Sequence, residues 1–152
     1  MLRTFIACKI PPTPALRGLH SDLQELGRPV RPVAMENLHI TLKFLGDTDP
    51  LQIPAISEIL REVIAGCEQF LIEMRGLVVF PNPKRPTVVW VGMQGGESLT
   101  AMAEAFEQRL QELGFPQESR RFQPHLTVAR VRGRAPRELA TYLEQHPETN
   151  YG

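Results

Sequence analysis

LHITL at residues 38–42 returns in closely similar form as PHLTV at residues 124–128. Apolar and polar residues alternate in both copies, and this alternation predicts a β-strand because successive side chains of a strand point to opposite faces. One copy lies in each half of the chain. The repeat therefore predicts two related halves, each of which contributes one such strand.

The alternation also predicts which side chains of each strand face the core. In the first copy, His39 and Thr41 share one face, and the opposite face holds Leu38, Ile40, Leu42 and Phe44. In the second copy, His125 and Thr127 lie opposite Leu126 and Val128. Because the apolar face packs against the core, each strand is expected to present an imidazole and a hydroxyl on its other face.

Apolar periodicity and turn residues predict the other elements. Further strands are expected over 2–10, 69–80 and 87–93, and the two repeated strands over 38–46 and 123–131. Helices are expected from Leu16 to Gly27, over 51–66, over 97–113 and after Pro136, and residues 28–37 are expected to form a loop. This order favours an α+β protein whose antiparallel sheets are covered by helices on one side.

Composition limits the function classes. The chain has 152 residues, 42% hydrophobic and 22% charged, which predicts one compact domain with a real core. Its 17 basic and 17 acidic residues cancel, so a nucleic-acid partner must be recognised locally. No signal-peptide core and no run of about 18 apolar residues is present, so we expect a cytoplasmic protein without a membrane partner.

Four residues outside the repeat are interpreted structurally. Cys8 and Cys67 lack the CxxC spacing of a metal or redox site, so both are predicted to be buried thiols. His20 and His146 have no neighbouring threonine two positions on, and we expect both on solvated helix surfaces. None of the four is a predicted site residue.

Two histidines and two hydroxyls suit acid–base chemistry at a phosphorus atom. Unperturbed imidazole titrates near pH 6.5, so one neutral and one protonated histidine can act as base and acid in a single step. Hydrolysis of a strained phosphodiester ring needs both, with the threonine hydroxyls donating to the phosphate oxygens. Two alternatives stay open: core histidines bonded to their threonines, or a metal site completed by distant acids.

A basic tract surrounds the second copy of the repeat. Residues 120–137 hold six arginines and no acid, and Arg130 is the strongest phosphate-binding candidate among them. Its position gives Arg130 the same strand phase as Leu126 and Val128. It can therefore reach the face of Thr127 only if a bulge or the strand end turns it.

At the level of longer motifs, the sequence resembles the two-histidine phosphoesterases, specifically the 2′-5′ RNA ligase or RNA 2′,3′-cyclic phosphodiesterase family. The matching stretches are RTFIACKIPP at 3–12, ENLHITLKFLGDT at 36–48, VVFPNPKRPTVVWVGM at 78–93 and FQPHLTVARV at 122–131. The resemblance implies a bilobal α+β fold in which two pseudo-symmetric antiparallel sheets line a central cleft, with the helices outside. It also implies hydrolysis of a terminal RNA 2′,3′-cyclic phosphate to a 2′-phosphate and, in some members, reversible 2′-5′ joining of tRNA halves.

By the same resemblance, His39 and His125 are the catalytic pair, and Thr41, Thr127 and Arg130 bind the substrate phosphate. Family analogy favours His39 as the acid that protonates the leaving ribose oxygen and His125 as the base that activates water. The residues themselves do not distinguish these two roles.

Further residues are assigned with an alternative. Phe5 either stacks on a base or belongs to the core, and Lys43 either meets the RNA backbone or is solvated. Phe80 and Trp90 are expected in the core because their strands are strongly apolar. Family members usually continue with another strand after the last helix, whereas this sequence ends at Gly152, so we expect one domain over 1–152 without that strand.

The expected partner is an RNA 3′ end that carries a 2′,3′-cyclic phosphate, tRNA halves included. We expect a monomer that needs no cofactor and no metal. Two other functions remain open: a module that binds nucleotides or RNA ends without catalysis, and a phosphodiesterase acting on small cyclic nucleotides or 2′-5′ oligonucleotides.

Overall fold

The computed structural model describes all 152 residues and contains six β-strands and four α-helices. The strands are β1 (Leu2–Lys9), β2 (Val30–Pro32), β3 (His39–Thr48), β4 (Glu73–Phe80), β5 (Val88–Gln94) and β6 (Leu126–Val131). The helices are α1 (Pro14–Gln24), α2 (Ile53–Ala65), α3 (Glu97–Leu110) and α4 (Arg137–Gln145). The predicted α+β class is confirmed, and the helix bounds agree with the predictions to within a few residues.

The chain divides into two compact units that are not the two halves of the sequence. The first comprises Met1–Cys8, Thr41–Leu71 and Gly95–Pro124, and the second comprises Lys9–Ile40, Ile72–Gln94 and His125–Gly152. Strand β3 passes from the second unit to the first after Ile40. As a result both repeated histidines belong to the second unit, and the prediction of one histidine in each half does not describe the units.

The first unit is built on two long helices. Strands β1 and β3 form a two-stranded sheet, and α2 contacts α3. The apolar stripe predicted for α3 is confirmed as core at Leu99, Ala103, Phe106 and Leu110, each at most 2% exposed. Such burial stabilises the unit by roughly 25 cal/mol per Å² of apolar surface removed from water.

The second unit is built on a four-stranded antiparallel sheet in the order β2-β6-β5-β4. Helix α1 begins after Thr13, whose Oγ1 accepts a hydrogen bond from the Leu16 amide at 3.1 Å, so the first turn is capped. Helix α1 contacts β2 through its buried leucines. The Tyr142 hydroxyl of α4 donates to the Asp22 carboxylate of α1 at 2.8 Å and links the two helices.

Strand β2 lies in the segment predicted as a loop. It has only three residues, too few for an alternating pattern to be detected, and its Pro32 lowers any sequence-based expectation of a strand. Its position explains why proline is tolerated. Because β2 is an edge strand, only one side of its backbone must pair with β6.

The last residues of the chain pair with the outer edge of β4. The Gly76 amide donates to the Thr149 carbonyl at 2.9 Å, and the Tyr151 amide donates to the Met74 carbonyl at 2.7 Å. Gly76 has φ +78° and lies where β4 carries an extra residue, so a side chain there would be strained. Residues 149–152 thus cover backbone groups that an edge strand would otherwise leave open.

Several burial predictions are wrong. Phe44 is 52% exposed and packs against the Arg3 guanidinium at 5.5 Å, because it lies near the end of β3, beyond the apolar cover. Cys67 is exposed after the end of α2, where its thiol donates to the Val63 carbonyl at 3.3 Å, and Cys8 is only half-buried. His146 is half-buried and stacks on Tyr142, so it is not simply solvated. None of the helices has the length and apolar character that spanning a membrane requires.

Candidate active site

His39 is the first residue of β3 and is held by its neighbours. Leu38 and Ile40 on either side are 0% exposed, which anchors the strand while the imidazole remains half-buried. The ring Nδ1 lies 2.7 Å from the Asn37 carbonyl oxygen. A carbonyl oxygen can only accept, so Nδ1 carries the hydrogen and Nε2 is the nitrogen that can exchange a proton.

His125 lies directly before β6 rather than inside it. Its imidazole stacks on the Trp90 indole with a centroid separation of 4.0 Å and an interplanar angle of 24°. On its other side the indole stacks on Phe80 at 5.4 Å and 10°. We call these three residues the ring column. Phe80 is 47% exposed and Trp90 is half-buried, so the prediction that both belong to the core is wrong.

The register of the sheet explains the ring column. Trp90 of β5 is paired with Thr127 of β6 on one side and with Val78 of β4 on the other. Residues directly opposite each other in antiparallel strands lie on the same face. Val89 and Val91, which flank Trp90, are 0% exposed and face the core. The sheet therefore has one buried face and one open face, and Thr127 lies on the open face with the ring column.

A β-bulge brings Arg130 to this open face. The pairing of β5 with β6 shifts between Val89 and Trp90 because β6 carries one extra residue, Val128. The burial pattern of β6 records the bulge, since Val128 and the residue after it are both buried. Beyond the bulge Arg130 is exposed and shares the face of Thr127. The turn that the sequence required for Arg130 is thus present.

Lys43 is not available to a substrate. It is 4% exposed, and its ammonium donates to the Glu107 carboxylate at 2.9 Å and to the Pro116 carbonyl at 3.1 Å. Neither sequence interpretation, RNA contact or solvation, describes this buried ion pair, because the partner comes from a helix distant in the sequence. Phe5 is 48% exposed, so its core alternative is wrong, whereas Thr41 is half-buried two residues after His39.

The site thus holds an imidazole whose tautomer is fixed, a second imidazole on an aromatic column, a hydroxyl and a guanidinium. Nowhere do three or more histidine, cysteine, aspartate or glutamate side chains gather in a group that could hold a metal ion. The sequence analysis missed the ring column because the apolar flanks of Phe80 and Trp90 hid it. Short motifs within VVFPNPKRPTVVWVGM gave no sign of which face the rings take.

Such an α+β fold with two His-x-Thr segments defines the class of the two-histidine phosphoesterases. The chain belongs to the 2′-5′ RNA ligase superfamily, whose family model matches residues 11–150. It is 40% identical over 119 residues to a protein of Aeropyrum pernix named RNA 2′,3′-cyclic phosphodiesterase, covering 78% of this chain and 66% of that protein. A protein of the same name from Methanothermobacter thermautotrophicus is 37% identical, covering 76% of this chain and 62% of that protein.

The fold is also similar to a solved structure. The crystal structure of TT0787 of Thermus thermophilus matches with a TM-score of 0.80 and 27% sequence identity, covering 99% of this chain and 81% of that chain. This chain thus spans slightly less than two thirds of the length of the two curated relatives, 66% and 62%.

Proposed function

We propose that the protein hydrolyses terminal RNA 2′,3′-cyclic phosphates to 2′-phosphates, without a metal, through His39 and His125. The observation that carries this proposal is the open face of the second unit, where Thr127 and Arg130 lie together beside His125. The names of the two relatives support the same activity. Both histidines lie in one compact unit, which is consistent with their acting on one phosphorus atom.

The proposed reaction is an in-line displacement at phosphorus. His125 takes a proton from water as the water oxygen bonds to phosphorus, and the bond from phosphorus to the ribose O3′ breaks. His39 protonates O3′ from Nε2, because its Nδ1–H is held by the Asn37 carbonyl. Thr41 and Thr127 donate to the non-bridging oxygens, and Arg130 offsets the charge that develops there.

The same chemistry accommodates ligation. If the 5′-hydroxyl of a second RNA attacks in place of water, the product is a 2′-5′ phosphodiester, and the step is reversible. We infer tRNA halves and other RNA ends as the substrate class on the basis of the superfamily to which the chain belongs.

The direct test is an incubation with an RNA oligonucleotide that ends in a 2′,3′-cyclic phosphate, with EDTA present. We expect complete conversion to a 2′-phosphate and a free 3′-hydroxyl, identified by mass and by resistance to a 3′-specific phosphatase. Unchanged substrate, or activity that EDTA abolishes, would contradict the proposal. Tight binding without product would instead indicate a binding module.

Trp90 is proposed as a positioning residue for His125. An imidazolium over an aromatic face gains about 0.5–2 kcal/mol, so Trp90→Leu is expected to lower kcat by roughly 2- to 30-fold with little change in KM. Trp90→Phe keeps a ring beneath His125 and should restore most of kcat. The matched control is Tyr142→Leu, which removes a similar stack on His146, with a centroid separation of 4.2 Å and an angle of 25°. Equal losses of kcat in Trp90→Leu and Tyr142→Leu would show that the effect is only structural.

A further inference from the structure

Two arginines lie directly opposite each other at the edge of the second unit's sheet. Arg31 of β2 is paired in register with Arg130 of β6, and both are exposed. Neither guanidinium takes part in any of the four salt bridges of the structure. Like charges directly opposite each other destabilise a strand pair. The pairing therefore costs stability unless an anion lies between the two groups.

The pair faces the same side as the proposed active site. Arg130 shares the open face with Thr127 because of the bulge at Val128, and Arg31 shares that face because it is opposite Arg130. Along β6 the pair lies three residues beyond Thr127, about 10 Å at the usual rise of a strand. An anion held there would be separate from a phosphate held at Thr127 but within reach of the same RNA chain.

We propose that Arg31 and Arg130 together bind the phosphodiester on the 5′ side of the terminal nucleotide. Guanidinium groups bind phosphate oxygens in pairs of parallel hydrogen bonds, and a phosphate between two of them turns their repulsion into attraction. The occupant is a single-stranded RNA 3′ end, to which the charge of the pair is complementary. This inference rests on the proposed function and adds a second phosphate site, through which oligonucleotides are preferred to cyclic mononucleotides.

The test compares two substrates in three proteins. The substrates are 2′,3′-cyclic AMP, which has no upstream phosphodiester, and a trinucleotide that ends in a 2′,3′-cyclic phosphate. The proteins are the wild type, Arg31→Gln and Arg17→Gln, a control that removes the same charge from an exposed position of α1. We expect Arg31→Gln to lower the ratio of kcat/KM for the trinucleotide to that for cyclic AMP by about 10-fold. The Arg17→Gln ratio should equal that of the wild type.

Salt dependence and stability provide two further readouts. Loss of one phosphate contact should reduce the slope of log kcat/KM for the trinucleotide against log salt by about 0.7 in Arg31→Gln. Because Arg31 opposes a like charge, its replacement should leave Tm unchanged or raised. A lowered Tm, an unchanged ratio, or equal losses on both substrates would overturn the inference.

Failure of the proposed function remains distinguishable from failure of this inference. If the wild type hydrolyses neither substrate, the proposed function falls. Binding of the trinucleotide that already ends in a 2′-phosphate then tests the arginine pair on its own. We expect its Kd to be about 10-fold weaker in Arg31→Gln than in Arg17→Gln, and equal Kd values would overturn the second phosphate site.

Discussion

His125→Ala and His39→Ala are each expected to lower kcat/KM for a 2′,3′-cyclic phosphate by roughly 10²–10⁴-fold. The physical reason is that each variant removes one of the two groups that move protons in the step at phosphorus. Both imidazoles are half-buried at the start of a strand, so neither contributes much to the core. The measurement is steady-state hydrolysis of a trinucleotide with a cyclic phosphate end, accompanied by Tm.

His146→Ala is the matched control for His125→Ala. His146 is also half-buried and also stacks on an aromatic ring, that of Tyr142, with nearly the geometry of His125 on Trp90. It lies at the end of α4 and has no role in the proposed step. We expect full activity in His146→Ala. Retention of activity in His125→Ala, or a comparable loss in His146→Ala, would refute the assignment of His125.

Glu107→Ala is expected to lower the free energy of unfolding by about 3 kcal/mol. The variant leaves the ammonium of Lys43, which is 4% exposed, with only the Pro116 carbonyl as a partner. It also removes the acceptor for the Glu118 amide, which is 2.9 Å from the Glu107 carboxylate. Urea unfolding measures the effect. Since the pair is remote in chemistry from phosphate binding, kcat of the folded variant should remain near that of the wild type.

Two comparisons make this stability prediction specific. Arg61 and Glu58 form a salt bridge with side chains 75% and 61% exposed, and Glu58→Ala should cost about 0.5 kcal/mol or less. The double variant Lys43→Met with Glu107→Leu should recover most of the loss, because an apolar pair can replace a buried ion pair. If Glu107→Ala and Glu58→Ala cost the same, burial of Lys43 is not the cause.

Local patterns predicted the elements near the proposed site well. The alternation around His39 correctly placed Leu38 and Ile40 in the core, because strand faces depend only on a period of two. The same rule failed for Lys43 and Phe44, whose exposure depends on what packs over the far part of β3. A polar residue can be buried when a distant partner such as Glu107 neutralises it, and no local pattern reports that partner.

The sequence by itself determined the α+β class, the helical stripes and the two His-x-Thr segments, because each depends on residues within a few positions of one another. Only the tertiary structure decided that a bulge turns Arg130 to the face of Thr127, that Arg31 lies opposite Arg130, and that Trp90 lies under His125. Those three features arise from strand register. Register is set by contacts between segments far apart in the chain, where a shift of one residue exchanges the two faces of a sheet.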